Sequence, residues 1–349
     1  MTKLFAGSYT KWITPGFGGQ GEGLYIMDFD PETGEIKTSE TYPLVNPSYL
    51  TVFDNTLYTF NEISLEETPL LYAFKINLNG QLELLNSVPI NGSYPCHITY
   101  SREHKSIFIS CYGSGNILIY PINNDGSVGP EMHNIQHRGN SQNSLRQEMP
   151  HVHFVGISGN NEKMFVADLG IDKIMIYALE GEAGLCVSLI SYIRMPGGSG
   201  PRHLAFHPDG KFLFVLAELT AEIFLIDLYA RKIITSLPLL SDTVDLLPSA
   251  AAIKISDDGR YIYVSERTTN KIFVLKFDNK QETIEWIHET EAHVITPRDF
   301  LLDSLGKWLI IAGQDSDSLS VFKRDVVRGT IMFYKTHKNF KSISCLILI

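Results

Sequence analysis

Short apolar runs separated by polar turns recur along the whole chain, and the group they form returns about every fifty residues. Six copies can be written out: NPSYLTVFDNTLYTF from Asn46, YPCHITYSREHKSIFIS from Tyr94, MPHVHFVGISGNNEKMFVA from Met149, GPRHLAFHPDGKFLFVLAE from Gly200, LPSAAAIKISDDGRYIYVSE from Leu247 and TPRDFLLDSLGKWLIIAGQ from Thr296. Each has a proline near its start, at Pro47, Pro95, Pro150, Pro201, Pro248 and Pro297, so the successive intervals are 48, 55, 51, 47 and 49 residues. Within a copy an alternating strand runs into a tight turn such as Pro208-Asp209-Gly210, and a second apolar strand follows. A third comes next, as in Ile223-Phe224-Leu225-Ile226 and Ile272-Phe273-Val274-Leu275, and a less regular fourth completes the unit. Four strands at this period predict an all-β propeller in which each unit is one blade of antiparallel strands.

Ahead of the first full copy, KLFAGSYT and GEGLYIMDFD read as the second and third strands of a further unit that lacks its innermost strand. The run from Ser342 to Ile349 supplies the missing strand, and its pairing with the N-terminal strands closes the ring and removes exposed edges. The expectation is a seven-bladed propeller spanning residues 1–349 as a single domain.

Composition narrows the partners. A formal charge of −10 and a pI of about 5.6 speak against nucleic acid or an anionic membrane as partner. No segment approaches the roughly 18 apolar residues of a membrane span, and the N-terminal residues lack the charged-then-apolar order of a signal peptide, so a soluble cytoplasmic protein is expected. The cysteines, Cys96, Cys111, Cys186 and Cys345, show neither CxxC spacing nor the density of a small secreted domain, which predicts free thiols in a reducing compartment. A homodimer is compatible with the sequence.

Strand direction sorts the polar residues. In an antiparallel blade the first strand starts, and the second ends, on one face of the disc, while the turn between them lies on the other. HPDGK, SDDGR, DSLGK and SREHK fall on the turn face and are hairpin chemistry. On the opposite face the first-strand starts bring Cys96-His97, His151 with His153, Arg202-His203 and Arg298-Asp299, and the second-strand ends bring Asn61-Glu62, Glu218, Glu266-Arg267 and Gln314. Alternation places His151 and His153 on one side, and the aligned Pro-X positions set Arg202 and Arg298 level with His151. Cations converging in an acidic protein predict an anionic ligand gripped by planar guanidinium forks, with Glu218 and Glu266 available as acid or base. His97, His203, His207 and Asp299 are expected to tie blade to blade. His151-Val152-His153 lacks the further ligands of a metal site, and no metal or other cofactor is expected.

The segments His137–His153 (HRGNSQNSLRQEMPHVH), Gly200–Leu219 (GPRHLAFHPDGKFLFVLAEL) and Pro297–Phe322 (PRDFLLDSLGKWLIIAGQDSDSLSVF) together resemble the seven-bladed propeller lactonases, the bacterial 6-phosphogluconolactonases of the propeller type and the related fungal carboxymuconate-lactonising enzymes. The resemblance covers essentially the whole chain. It implies a channel-mouth set of His153 or its neighbour His151, then Arg202, Glu218 and Arg267, with Arg146 and Gln147 forming part of the rim. It further implies a hydrolase of carbohydrate metabolism that opens a small anionic sugar-acid lactone, such as 6-phospho-glucono-1,5-lactone, by acid–base chemistry. His153, His151 or Glu218 would then be the base, Arg202 or Arg267 would hold the oxyanion, and Arg298, Gln314 and Glu266 would complete the substrate contacts. No GxSxG elbow offers a covalent nucleophile. A cycloisomerase acting on muconate lactones and a non-catalytic interaction disc are the rival readings; the WD dipeptides of the common interaction propellers are absent.

Overall fold

The computed structural model describes residues 1–181, 185–241 and 246–349, and among these residues 28 strands form seven four-stranded antiparallel sheets. Blade 1 is composite: Ile343–Leu348 is its first strand, followed by Thr2–Ser8, Leu24–Phe29 and Ile36–Tyr42. The first strands of blades 2 to 7 are Leu50–Phe53, Pro95–Ser101, Val152–Ile157, Pro201–Phe206, Ala250–Ile255 and Pro297–Leu302. The expected closure therefore holds, with Leu4 opposite Leu348 and Ala6 opposite Leu346.

Seven apolar clusters fill the gaps between consecutive blades. The second strand of blade 5, Phe212–Ala217, shows how one strand serves two of them. Phe212, Phe214 and Leu216 pack toward blade 6, while Leu213, Val215 and Ala217 pack toward blade 4. Period-two side chains with apolar residues on both faces give an uninterrupted apolar run, the signature of a strand buried on both sides. Fourth strands such as Cys186–Arg194 lie at the rim and alternate into solvent, hence their irregular composition.

The blade-to-blade ties expected of the buried polar residues are present at two sites. Val155 N–H of blade 4 donates to His97 Nδ1 of blade 3 at 3.4 Å, and Leu346 N–H of blade 1 donates to Asp299 Oδ2 of blade 7 at 3.2 Å. His207 keeps its polar contact in its own hairpin, 2.8 Å from Asp209, and meets blade 6 by packing its ring on Phe277 at 5.2 Å.

Candidate active site

Six of the seven first strands slip register near their start. The breaks lie between Pro95 and His97, Val152 and Phe154, Pro201 and His203, Ala250 and Ile253, and Pro297 and Asp299, with a matching slip opposite Gly7 and Ser8 in blade 1. A bulge leaves a residue without a cross-strand partner and re-aims its side chain. The residues passed over are Cys96, His153, Arg202, Ala251 with Ala252, Arg298 and Ser344.

A second ring lies one step beyond the second strands, two in blade 2. The backbone N–H groups of Tyr9, Glu62, Tyr112, Leu169, Glu218, Arg267 and Gln314 each donate to the carbonyl of the residue two before the channel-facing position of their own blade. Seven equivalent hydrogen bonds thus bring these side chains to the same end of the channel. Together the two rings enclose a cavity of about 480 Å3 lined by Glu62, Cys96, Tyr112, Arg146, His153, Glu218, Arg267 and Arg298, with Thr14, Phe17 and Ser249 at its wall. A water-sized void below it reaches Tyr9, Arg202, His203 and Ser344.

Glu218 is the hub. Arg146 Nη2 donates to its Oε1 at 2.7 Å, while Arg202 Nε and Arg267 Nη2 lie 2.9 and 3.2 Å from Oε2. Burial opposes the charge of this carboxyl, but Arg267, Arg202 and Arg146 outweigh it and hold its pKa well below the usual carboxylate range. Glu218 is therefore an ionised anchor at neutral pH. Arg202 also donates to the Ala251 carbonyl and reaches His203 Nε2 at 2.9 Å; burial and the neighbouring Arg267 bring its pKa down to about 10, where it is still cationic.

His153 is 5 % exposed, and its Nδ1 has no hydrogen-bond partner. Burial first, then Arg202, push its pKa well below the ordinary histidine value, so the ring is neutral at pH 7. A neutral imidazole lining the cavity is suited to accept a proton. Arg298 is held by Tyr9, whose hydroxyl accepts from Nη2 at 2.8 Å, and its guanidinium lies over the Tyr9 and Phe17 rings at 5.1 and 5.0 Å. Burial disfavours its charge, yet Tyr9, Glu62 and Glu218 more than compensate and raise its pKa. Among the described residues Arg298 makes no salt bridge, unlike Arg146, Arg202 and Arg267.

Several expected residues lie elsewhere. Register sets His153, and not His151, level with Arg202 and Arg298, because Pro150 precedes the strand of blade 4 by two residues whereas Pro201 and Pro297 begin theirs. His151 stacks on Tyr112 at 4.3 Å and bonds the Tyr112 carbonyl at 2.9 Å, away from the cavity lining. Glu266 is fully buried and caps its own turn, accepting from the N–H groups of Ser249, Thr268 and Thr269 at 2.8, 3.2 and 2.7 Å. It fixes the turn that presents Arg267. Gln147 spends its amide on Leu169 O and Asn143 N–H, shaping the loop that carries Arg146. Gln314 donates to Gly18 O at 3.2 Å and so anchors the loop bearing Thr14 and Phe17. Gly18 has φ +135°, and a Cβ there would stand 2.5 Å from Trp12 Cα, so this turn needs glycine.

Tyr112, Thr14 and Phe17 were not foreseen. Tyr112 follows the second strand of its blade just as Glu218 and Arg267 follow theirs, a position the repeat alignment contains. Cys96 proves to be a neighbour of His153 in the inner ring, but its Sγ contacts the His153 carbonyl at 3.6 Å, and burial drives its thiol pKa well above the normal value. That protonated thiol is no nucleophile at neutral pH.

The fold and this mouth define a propeller with a cationic cavity, and the sequence comparisons place it. The chain belongs to the Lactonase, 7-bladed beta-propeller family, whose model matches residues 3–348. It is 28 % identical over 342 residues to a Bacillus subtilis protein named 6-phosphogluconolactonase, covering 95 % of this chain and 94 % of that one. A solved structure of a Pseudomonas aeruginosa periplasmic gluconolactonase superposes with a TM-score of 0.91 at 25 % identity, over 100 % of this chain and 99 % of its own. A Bacteroides fragilis protein superposes with a TM-score of 0.90 at 28 % identity, over 100 % and 98 % of the respective chains.

Proposed function

We propose that this protein hydrolyses a sugar-acid lactone bearing an anionic substituent, with 6-phospho-glucono-1,5-lactone as substrate. The observation that carries this reading is the neutral His153 set beside the guanidiniums of Arg202, Arg267 and Arg146, which are ordered by one ionised Glu218. The relatives' names agree with it. His153 takes a proton from water as the water oxygen bonds to the lactone carbonyl carbon. The carbonyl oxygen becomes an oxyanion held by the guanidiniums that Glu218 orders before the reaction. The tetrahedral centre then collapses, the ring carbon–oxygen bond breaks, and the ring oxygen takes up a proton and leaves as a hydroxyl.

The four arginines outnumber the carboxyls of Glu218 and Glu62, so the mouth carries surplus positive charge for a second anionic group. Arg298, free of carboxylate partners among the described residues, is the guanidinium available to hold it. Lactones of this kind open unaided, and assistance of about 10²- to 10⁴-fold from one acid–base group is in keeping with a site that has no covalent nucleophile. The test is the rate of loss of freshly prepared 6-phosphogluconolactone against the spontaneous rate, with unphosphorylated glucono-1,5-lactone alongside. Faster turnover of the phosphorylated substrate, narrowed by Arg298→Gln, supports the assignment; equal turnover of both removes the phosphate from it.

A further inference from the structure

Glu62 is an acidic side chain of the cavity that has no task in the hydrolysis by His153 and the arginines. It follows the second strand of blade 2, three blades round the ring from Glu218 on blade 5, and lines the same cavity as Arg146, Arg267 and Arg298. It is 4 % exposed and lines both the main cavity and the void beneath it. The Tyr9 hydroxyl donates to Oε2 at 2.8 Å and itself accepts from Arg298 at 2.8 Å, so the carboxyl is oriented by a chain anchored on blades 1 and 7.

The groups facing Glu62 are Tyr9 from blade 1, Arg298 from blade 7, Arg202 from blade 5 and Cys96 from blade 3. Their sum leaves it unlike Glu218. Burial raises its pKa, and Arg298, then the Ser48 and Tyr9 hydroxyls and Arg202, only partly offset that. The pKa values of the two carboxyls of one cavity are thus shifted in opposite directions, Glu218 down and Glu62 up.

Building on the lactonase reading, we propose that Glu62 is a further catalytic residue, the general acid that protonates the departing ring oxygen. The balance is complete: His153 takes a proton from water, the acyl carbon–oxygen bond breaks, and the Glu62 O–H bond breaks as a new O–H bond forms on the sugar hydroxyl. Glu62 is left as a carboxylate beside Arg298 and Arg202 and recovers a proton from solvent, while His153 releases its own. The Tyr9–Arg298 chain is a positioning device, since Tyr9 acts through the carboxyl it orients.

The experiment compares wild type, Glu62→Gln and Glu62→Asp by kcat and KM on 6-phosphogluconolactone between pH 5.5 and 8, with 6-phosphogluconate affinity measured by calorimetry. The expected result is a kcat loss of about 10²- to 10⁴-fold in Glu62→Gln with product affinity retained, and partial recovery in Glu62→Asp. An acid must be protonated to act, so wild-type kcat falls as pH rises through the Glu62 pKa, and this fall is absent in Glu62→Gln. Wild-type turnover with Glu62→Gln within about twofold of it overturns the assignment and leaves the lactonase reading standing. Loss of product binding or of folding in both variants makes Glu62 structural and overturns it as well. A wild type no faster than the blank removes the lactonase reading and this inference with it.

Discussion

His153 and His151 stand two residues apart in one histidine-rich segment, yet their surroundings divide them. His153 lines the cavity, whereas His151 is stacked and hydrogen-bonded at Tyr112. His153→Gln is expected to lower kcat by about 10²- to 10⁴-fold, and His151→Gln to leave it within a few-fold, in the same lactone assay. Because the His153 pKa lies below the ordinary histidine value, a base at this position stays competent in mild acid; kcat falls only as pH drops through that depressed pKa. A wild-type profile already half-lost at pH 6.5 contradicts the assignment. Cys96, in contrast, carries a protonated buried thiol, so Cys96→Ser retains activity and iodoacetamide does not inhibit. From the sequence, Arg202, Glu218 and Arg267 were legible as convergent charges. The choice between the histidines was not, because it depends on where the strand begins relative to Pro150.

At the scale of elements, the bulge explains why the inner ring can carry chemistry at all. A regular strand would turn alternate side chains into the two flanking blades, and only the slip at its start frees one residue to point down the channel. Register of this kind is a property of pairing, so a repeat alignment finds the strand without finding the bulge. The same limit explains Glu266, Gln147 and Gln314. Polar residues beside the mouth look alike in sequence whether they face the cavity or cap a turn, and the structure shows these three engaged with backbone. Glu266→Ala should destabilise the fold by about 1–3 kcal/mol through its unpaired backbone donors, seen as a lower unfolding midpoint, and should weaken catalysis by loosening the Arg267 turn. Unchanged stability would show that water replaces the carboxylate at no cost.

For the whole molecule, the order of blades and the closing strand followed from the fifty-residue period, since each blade buries its apolar faces only against its neighbours. Removal of residues 343–349 strips blade 1 of its inner strand and leaves Thr2–Ser8 as an open edge, which predicts loss of the folded monomer by size-exclusion chromatography. The convergence of seven blades also couples stability to pH. Glu218 has a depressed folded-state pKa, so its contribution is present above the unfolded carboxylate value of about 4.3 and is lost as pH falls through the folded value. Glu218→Gln should flatten that acid-side decline in the unfolding midpoint while abolishing activity, because three guanidiniums lose their shared counter-charge. The central claim is that the Glu218-ordered arginines and His153 open a lactone, and the most direct measurement is 6-phosphogluconolactone loss, corrected for spontaneous hydrolysis, for wild type, Arg202→Ala and His153→Gln. The account predicts a wild-type rate well above the blank and a drop of about two orders of magnitude or more in each variant. A folded wild type indistinguishable from the blank, or variants as fast as wild type, would contradict it.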